Sequence, residues 1–233
     1  MRGVFVDKCP TGISGFDKIS QGGFVRNSSN LIVGGPGSGK TTFLLQFLWN
    51  GANSGENGLY CSFEPDIVET LKDGLSYGWD FSKLNEQDKV KFLKFSPKTS
   101  VDDLKSELIK LIAKYSIKRI CFDPISVFAF SGDEKKMRET FFDLISLMKR
   151  LNVTTIITDE LLESESTNGI TNATEMLNFL TDSLTVIYES NPTDSDPSLQ
   201  ADRAIRIVKM RRTEHSRYAT AMKITENGLE ILA

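Results

Sequence analysis

Gly34-Gly35-Pro36-Gly37-Ser38-Gly39-Lys40-Thr41-Thr42 fits the pattern G-x-x-x-x-G-K-[ST], a phosphate-binding loop. The apolar run Leu31-Ile32-Val33 leads into it, and Phe43, Leu44, Phe47 and Leu48 follow at helical spacing. The loop therefore stands between a strand and a helix, where its chemistry needs it. Its glycines let the backbone turn its N–H groups toward a phosphate, and the helix start adds partial positive charge at the same spot. Lys40 is placed to reach the β- and γ-phosphates, and the Thr41 hydroxyl to ligate Mg²⁺. The expected nucleotide contacts are Gly34, Gly35, Pro36, Gly37, Ser38, Gly39, Lys40, Thr41 and Thr42.

Working outward, the residues before the loop are rich in turn formers. Thr11-Gly12-Ile13-Ser14-Gly15-Phe16-Asp17, followed by Gly22-Gly23, reads as an irregular lead-in to the first strand. Downstream, Gly58–Phe63 reads as a second strand that ends in Glu64-Pro65-Asp66, after which Ile67, Val68, Leu71 and Leu75 carry a helical stripe. Glu64 then stands at the C-terminal end of a strand, where open α/β sheets place their chemistry. A bare helix-start carboxylate is the alternative reading.

Val90–Phe95 reads as a strand, and Ser100-Val101-Asp102-Asp103 as a capping box that opens a helix. Arg119-Ile120-Cys121-Phe122-Asp123 is an apolar strand ending in a carboxylate, the form of the strand that supplies a magnesium-holding aspartate. A helix is expected over 133–151, with Asn152 at its C-terminal cap, and a buried strand over Val153–Thr158. Thr158 is a candidate γ-phosphate sensor; a local hydrogen bond is the plainer alternative. Residues 159–172 read as a polar loop, followed by a short helix, a strand over Leu184–Tyr188, a hairpin connection over 191–202 and a strand over Arg203–Lys209. Lys209, Arg211, Thr213 and His215 fall at every second position. An extended chain would carry them on one face, about 6.6 Å apart.

The 233 residues suit one domain spanning 1–233, and no repeat or linker divides them. Charged residues make up 25% and the net charge is −3, so there is no global attraction to nucleic acid or an anionic membrane. The sequence lacks a run of the roughly 20 apolar residues that a membrane span requires, and its three cysteines are far apart. A reduced, cytoplasmic protein is expected, with one histidine and hence no multi-histidine metal site.

Strands alternating with helices behind a phosphate loop imply an α/β P-loop fold: a mostly parallel twisted sheet flanked by helices, with antiparallel strands at the C-terminal end. The lead-in phrase, the loop, Phe63-Glu64, Asp123-Pro124-Ile125-Ser126, Thr155–Glu160 and Ile207–His215 together resemble the KaiC-like ATPases of the RecA/RadA superfamily, in the single-domain form common in archaea. The resemblance runs from Thr11 to the end of the chain. It implies ATP and Mg²⁺ as cofactors, Glu64 as the catalytic glutamate beside Lys40, Asp123 with Thr41 at the metal, and a homo-oligomer, a hexameric ring in the family. Lys209, Arg211 and His215 fall on residues that reach a neighbouring subunit's nucleotide, a trans form of the arginine finger. Four departures from the family pattern, Pro65, Pro124, Asp159 and Arg212, imply slow turnover.

Three functions fit these expectations. The first is an oligomeric ATPase switch that signals to a protein partner. The second is a RadA-paralogue-like ATPase that binds single-stranded DNA. The third is a low-activity nucleotide-binding regulator of the archaellum-accessory type. DNA is disfavoured because the 159–172 segment carries Asp159, Glu160, Glu163 and Glu165 with no Lys or Arg.

Overall fold

The computed structural model describes residues 6–63, 67–96, 99–125, 134–160, 172–189 and 203–233. In chain order the elements are β1 (Lys8–Cys9), α1 (Ser14–Ile19), β2 (Phe24–Val25), β3 (Ser29–Gly34), α2 (Lys40–Asn53), β4 (Asn57–Ser62), α3 (Ile67–Ser76), α4 (Phe81–Glu86) and β5 (Val90–Lys94). They continue as α5 (Val101–Tyr115), β6 (Ile117–Asp123), α6 (Glu134–Arg150), β7 (Thr154–Glu160), α7 (Asn172–Leu180), β8 (Ser183–Glu189), β9 (Arg203–Met210), β10 (Thr220–Thr225) and β11 (Gly228–Ile231).

Nine strands form one sheet in the order β11-β10-β9-β8-β3-β7-β6-β4-β5. The run from β8 to β5 is parallel, and β9, β10 and β11 add antiparallel. Parallel strands must be covered on both faces, so their sequences read as unbroken apolar runs rather than alternations. The side chains sort accordingly. Cys121 of β6 and Ile156 of β7 join Phe43, Leu44 and Phe47 of α2 in one core. Ile120, Phe122 and Ile157 join Leu104, Phe141 and Leu177, from α5, α6 and α7, in the other.

Local signals fix several boundaries. The Ser100 hydroxyl accepts from the Asp103 amide at 3.1 Å and starts α5. Helix α6 ends as its sequence predicts: Asn152 takes φ +55°, its amide bonds the Lys149 carbonyl, and the Val153 amide bonds that of Met148. This paired closure satisfies carbonyls that a helix end leaves open.

Three expectations need correction. The lead-in is not irregular: it holds α1 and a two-stranded sheet of β1 with β2. Asp17 organises it by accepting from the Thr11 and Gly12 amides and the Thr11 hydroxyl, contacts that only the folded turn creates. Asp159 and Glu160 are not loop residues but the last two of β7, and Asp159 is fully buried, accepting from Thr174. The alternation after Lys209 also fails. Strand β9 stops at Met210, a turn follows, and Arg212 takes φ +66°, so Arg211, Thr213 and His215 do not continue one extended face.

Arg119 near the start of β6 joins the sheet to its covering helix. Its side chain, 2% exposed, bonds Glu56 at 2.7 Å and the carbonyls of Pro10 and Phe47, and lies over the Phe47 ring. Gly51 of α2 makes room for it, since a Cβ there would sit 2.4 Å from the Arg119 Cδ. Burial alone would raise the Glu56 pKa, but Arg119 and Arg26 outweigh it and hold the carboxyl below its ordinary 4.5. Arg119→Ala strands these partners and is expected to cost about 3–5 kcal/mol in urea unfolding. A depressed carboxyl contributes stability above its unfolded pKa and loses it as pH falls through the folded value. The wild-type protein should therefore lose this increment below about pH 4.5, and the variant should show a shallower acid slope. Equal slopes would refute the coupling.

Candidate functional site

The phosphate loop leaves β3 at Gly34 and enters α2 at Lys40. Gly39 takes φ +106°, a left-handed conformation suited to glycine, and a Cβ there would press on Ile224 and Leu229 of the C-terminal hairpin. Around Gly35 and Gly37 an added Cβ meets nothing within 4 Å, so the loop is open to a ligand. Lys40 Nζ donates to the Gly34 and Gly35 carbonyls at 2.8 and 2.9 Å, which holds the ammonium over the loop. Ser38 is buried, yet its Oγ has no hydrogen-bond partner. An orphaned hydroxyl inside a phosphate-loop sequence fits a ligand supplying the partner.

The adjoining strand ends converge on Asp123. Thr41 Oγ1 donates to Asp123 Oδ2 at 2.8 Å, and Thr158 Oγ1 donates to Asp123 Oδ1 at 2.5 Å. The sheet order explains the meeting. Strand β7 lies between β3 and β6, so Thr158 stands between the loop and the aspartate. Thr158 also donates to the Phe122 carbonyl at 3.2 Å, so the local hydrogen bond exists as well as the contact to the carboxylate. A third donor was not anticipated from the sequence: Tyr60 of β4 places its hydroxyl 2.5 Å from Asp123 Oδ2. The only signal was a phenol between the apolar residues Leu59 and Cys61.

Among the described residues no group of three or more His, Cys, Asp or Glu could hold a metal alone. That fits magnesium, which is commonly held by one or two protein groups and completed by phosphates and water. Thr41 and Asp123 are the residues present for it, already hydrogen-bonded side by side. Glu64 lies outside the described residues, as does most of the 159–172 segment.

The three candidate finger residues are not brought to this site. Lys209 donates to the Asn178 and Thr181 carbonyls at the end of α7, and Arg211 to that of Phe179 at 3.3 Å. A bulge positions Lys209: Leu184 pairs with Lys209 and Thr185 with Ile207, so Val208 is extra and the strand changes phase. Burial, then the charge of Arg211, lowers the Lys209 pKa. His215 stands apart, its Nδ1 2.8 Å from the Ser216 carbonyl, beside the end of α1. All three cysteines are free and buried. No described helix is long and apolar enough to cross a membrane.

Residues 9–233 match the family model described as "ATPase: KaiC". The circadian clock oscillator protein KaiC of Parasynechococcus marenigrum is 32% identical over 237 residues, covering 97% of this chain and 45% of that protein. Its counterpart from Nostoc sp. is 33% identical, covering 97% of this chain and 44% of that protein. The chain thus spans less than half the length of these relatives. Among solved structures, a KaiC-like protein from the hyperthermophilic archaeon Pyrococcus horikoshii OT3 superposes with a TM-score of 0.82 at 29% identity, covering 98% of this chain and all of that one.

Proposed function

This chain belongs to the KaiC ATPase family, and from that premise we propose that it is a slow, Mg²⁺-dependent ATPase acting as an oligomeric switch toward a protein partner. The observation that carries the proposal is the Thr41–Asp123 pair beside the open loop. In this reading the loop amides and Lys40 bind the phosphates, and Ser38 and Thr42 line the loop. Thr41 and Asp123 orient the metal, which supplies charge neutralisation on the transferring phosphoryl group. Glu64 orients or deprotonates the attacking water. Thr158, bonded to Asp123, is placed to report what stands at the γ-position. Pro65 and Pro124 replace the family's usual residues beside Glu64 and Asp123 and favour slow turnover.

Lys40→Ala should abolish tight ATP binding, because loop residues 34–42 contain no other cation. Removing one partner of a buried charge pair costs roughly 2–5 kcal/mol. A titration with a fluorescent ATP analogue checks this, and affinity near wild type refutes the loop assignment.

A protein partner is favoured over DNA, although one part of the charge argument changes. Asp159 is buried against Thr174 and cannot repel a nucleic acid. Glu163 and Glu165 remain in a segment without Lys or Arg, and counterion release needs cations. Single-stranded DNA should bind weakly and lose its hold steeply with added salt. An ATPase assay with and without single-stranded DNA, paired with native mass measurement, tests the whole proposal. Tight binding at physiological salt with stimulated turnover would establish the recombinase-like function instead. ATP binding without hydrolysis would establish the low-activity regulator.

A further inference from the structure

Tyr60 has no part in the roles assigned above, yet it touches the centre of the site. The residue is 2% exposed, and its ring packs on Phe92 with centroids 5.4 Å apart. In register it lies opposite Cys121, so it leans along the sheet to reach Asp123 two residues further on. Its hydroxyl donates to the same oxygen, Oδ2, that accepts from Thr41, while Thr158 takes Oδ1. The carboxylate is thereby held at both oxygens and cannot turn about its terminal torsion. A phenylalanine would fill the same space without this contact.

We propose that Tyr60 is a positioning residue of the metal site, fixing the Asp123 carboxylate in the orientation shared with Thr41. The proposal deepens the ATPase reading and rests on it. Partners that orient a metal-site carboxylate are typically worth about 10–100-fold in metal affinity or activity. The test is a titration of a fluorescent ADP analogue in Mg²⁺ and in EDTA, for wild type and Tyr60→Phe. Wild type should bind more tightly with Mg²⁺. In Tyr60→Phe that Mg²⁺-dependent gain should fall by about 10–100-fold while affinity in EDTA stays unchanged. Melting in EDTA should confirm that the variant folds. An unchanged Mg²⁺ gain in Tyr60→Phe overturns the proposal alone, as does an equal loss with and without the metal, which means general distortion. A wild-type protein with no Mg²⁺ gain overturns the ATPase reading and this proposal with it.

Discussion

Arg211→Ala should bind ATP normally and hydrolyse it about 10³–10⁵-fold more slowly, the usual worth of an arginine finger. The sheet register dictates how such a finger must work. Asn30, near the start of β3, pairs with Ser183, and Ser183 pairs with Met210. Arg211 therefore sits at the end of the sheet where β3 begins, and its amide is fixed there on the Asp182 carbonyl at 2.9 Å. The phosphate loop leaves from the other end of β3, at Gly34. Parallel strands rise about 3.3 Å per residue, so roughly 13 Å of strand separates the two before the loop begins. Arg211 thus stands at the opposite end of β3 from its own loop, and the expected arrangement is a finger acting in trans, with two chains to each active site. Mixing Arg211→Ala with Glu64→Gln should recover part of the activity, because some interfaces then pair an intact Glu64 with an intact Arg211. A mixture that stays inactive while its subunits demonstrably exchange refutes the trans arrangement.

Glu64→Gln should keep nucleotide and metal binding and lose about 10²–10⁴-fold in turnover, since an amide keeps the shape but cannot take a proton. The preceding residue is firmly held: Phe63 stacks on Phe95 and Phe122, and its amide bonds the Asp123 carbonyl at 3.2 Å. Single-turnover kinetics with pre-bound ATP isolates the chemical step. Turnover that survives the substitution makes Glu64 a helix-start carboxylate only.

The fold was readable because its strands announce themselves. Leu31–Val33, Leu59–Cys61 and Ile120–Phe122 are apolar runs buried on both faces, and each feeds a helix with a single apolar stripe. The Thr41–Asp123 pairing was readable for the same reason, because both stand at ends of such elements. Contacts between distant segments were not. Asp17 looked like one more turn residue until its partners closed around it, and Asp159 looked like loop charge until Thr174 covered it. Alternating cations suggested a strand face at 209–215, but the turn at Arg211 and Arg212 follows from the meeting of β9 with Asp182, which local spacing does not encode. Tyr60 was hidden because a buried tyrosine and a buried phenylalanine serve a core equally well.

The loop's packing also has a bearing on biosynthesis. Gly39 rests against Ile224 and Leu229, the Leu229 amide bonds Gln46 of α2, and Lys18 of α1 reaches the Ala233 carbonyl. A ribosome makes the phosphate loop early and its supporting hairpin nearly two hundred residues later. The nascent chain carries the loop for most of translation without the surface that braces it. A chain that stops short of β10 carries the whole motif without the side chains that pack against Gly39.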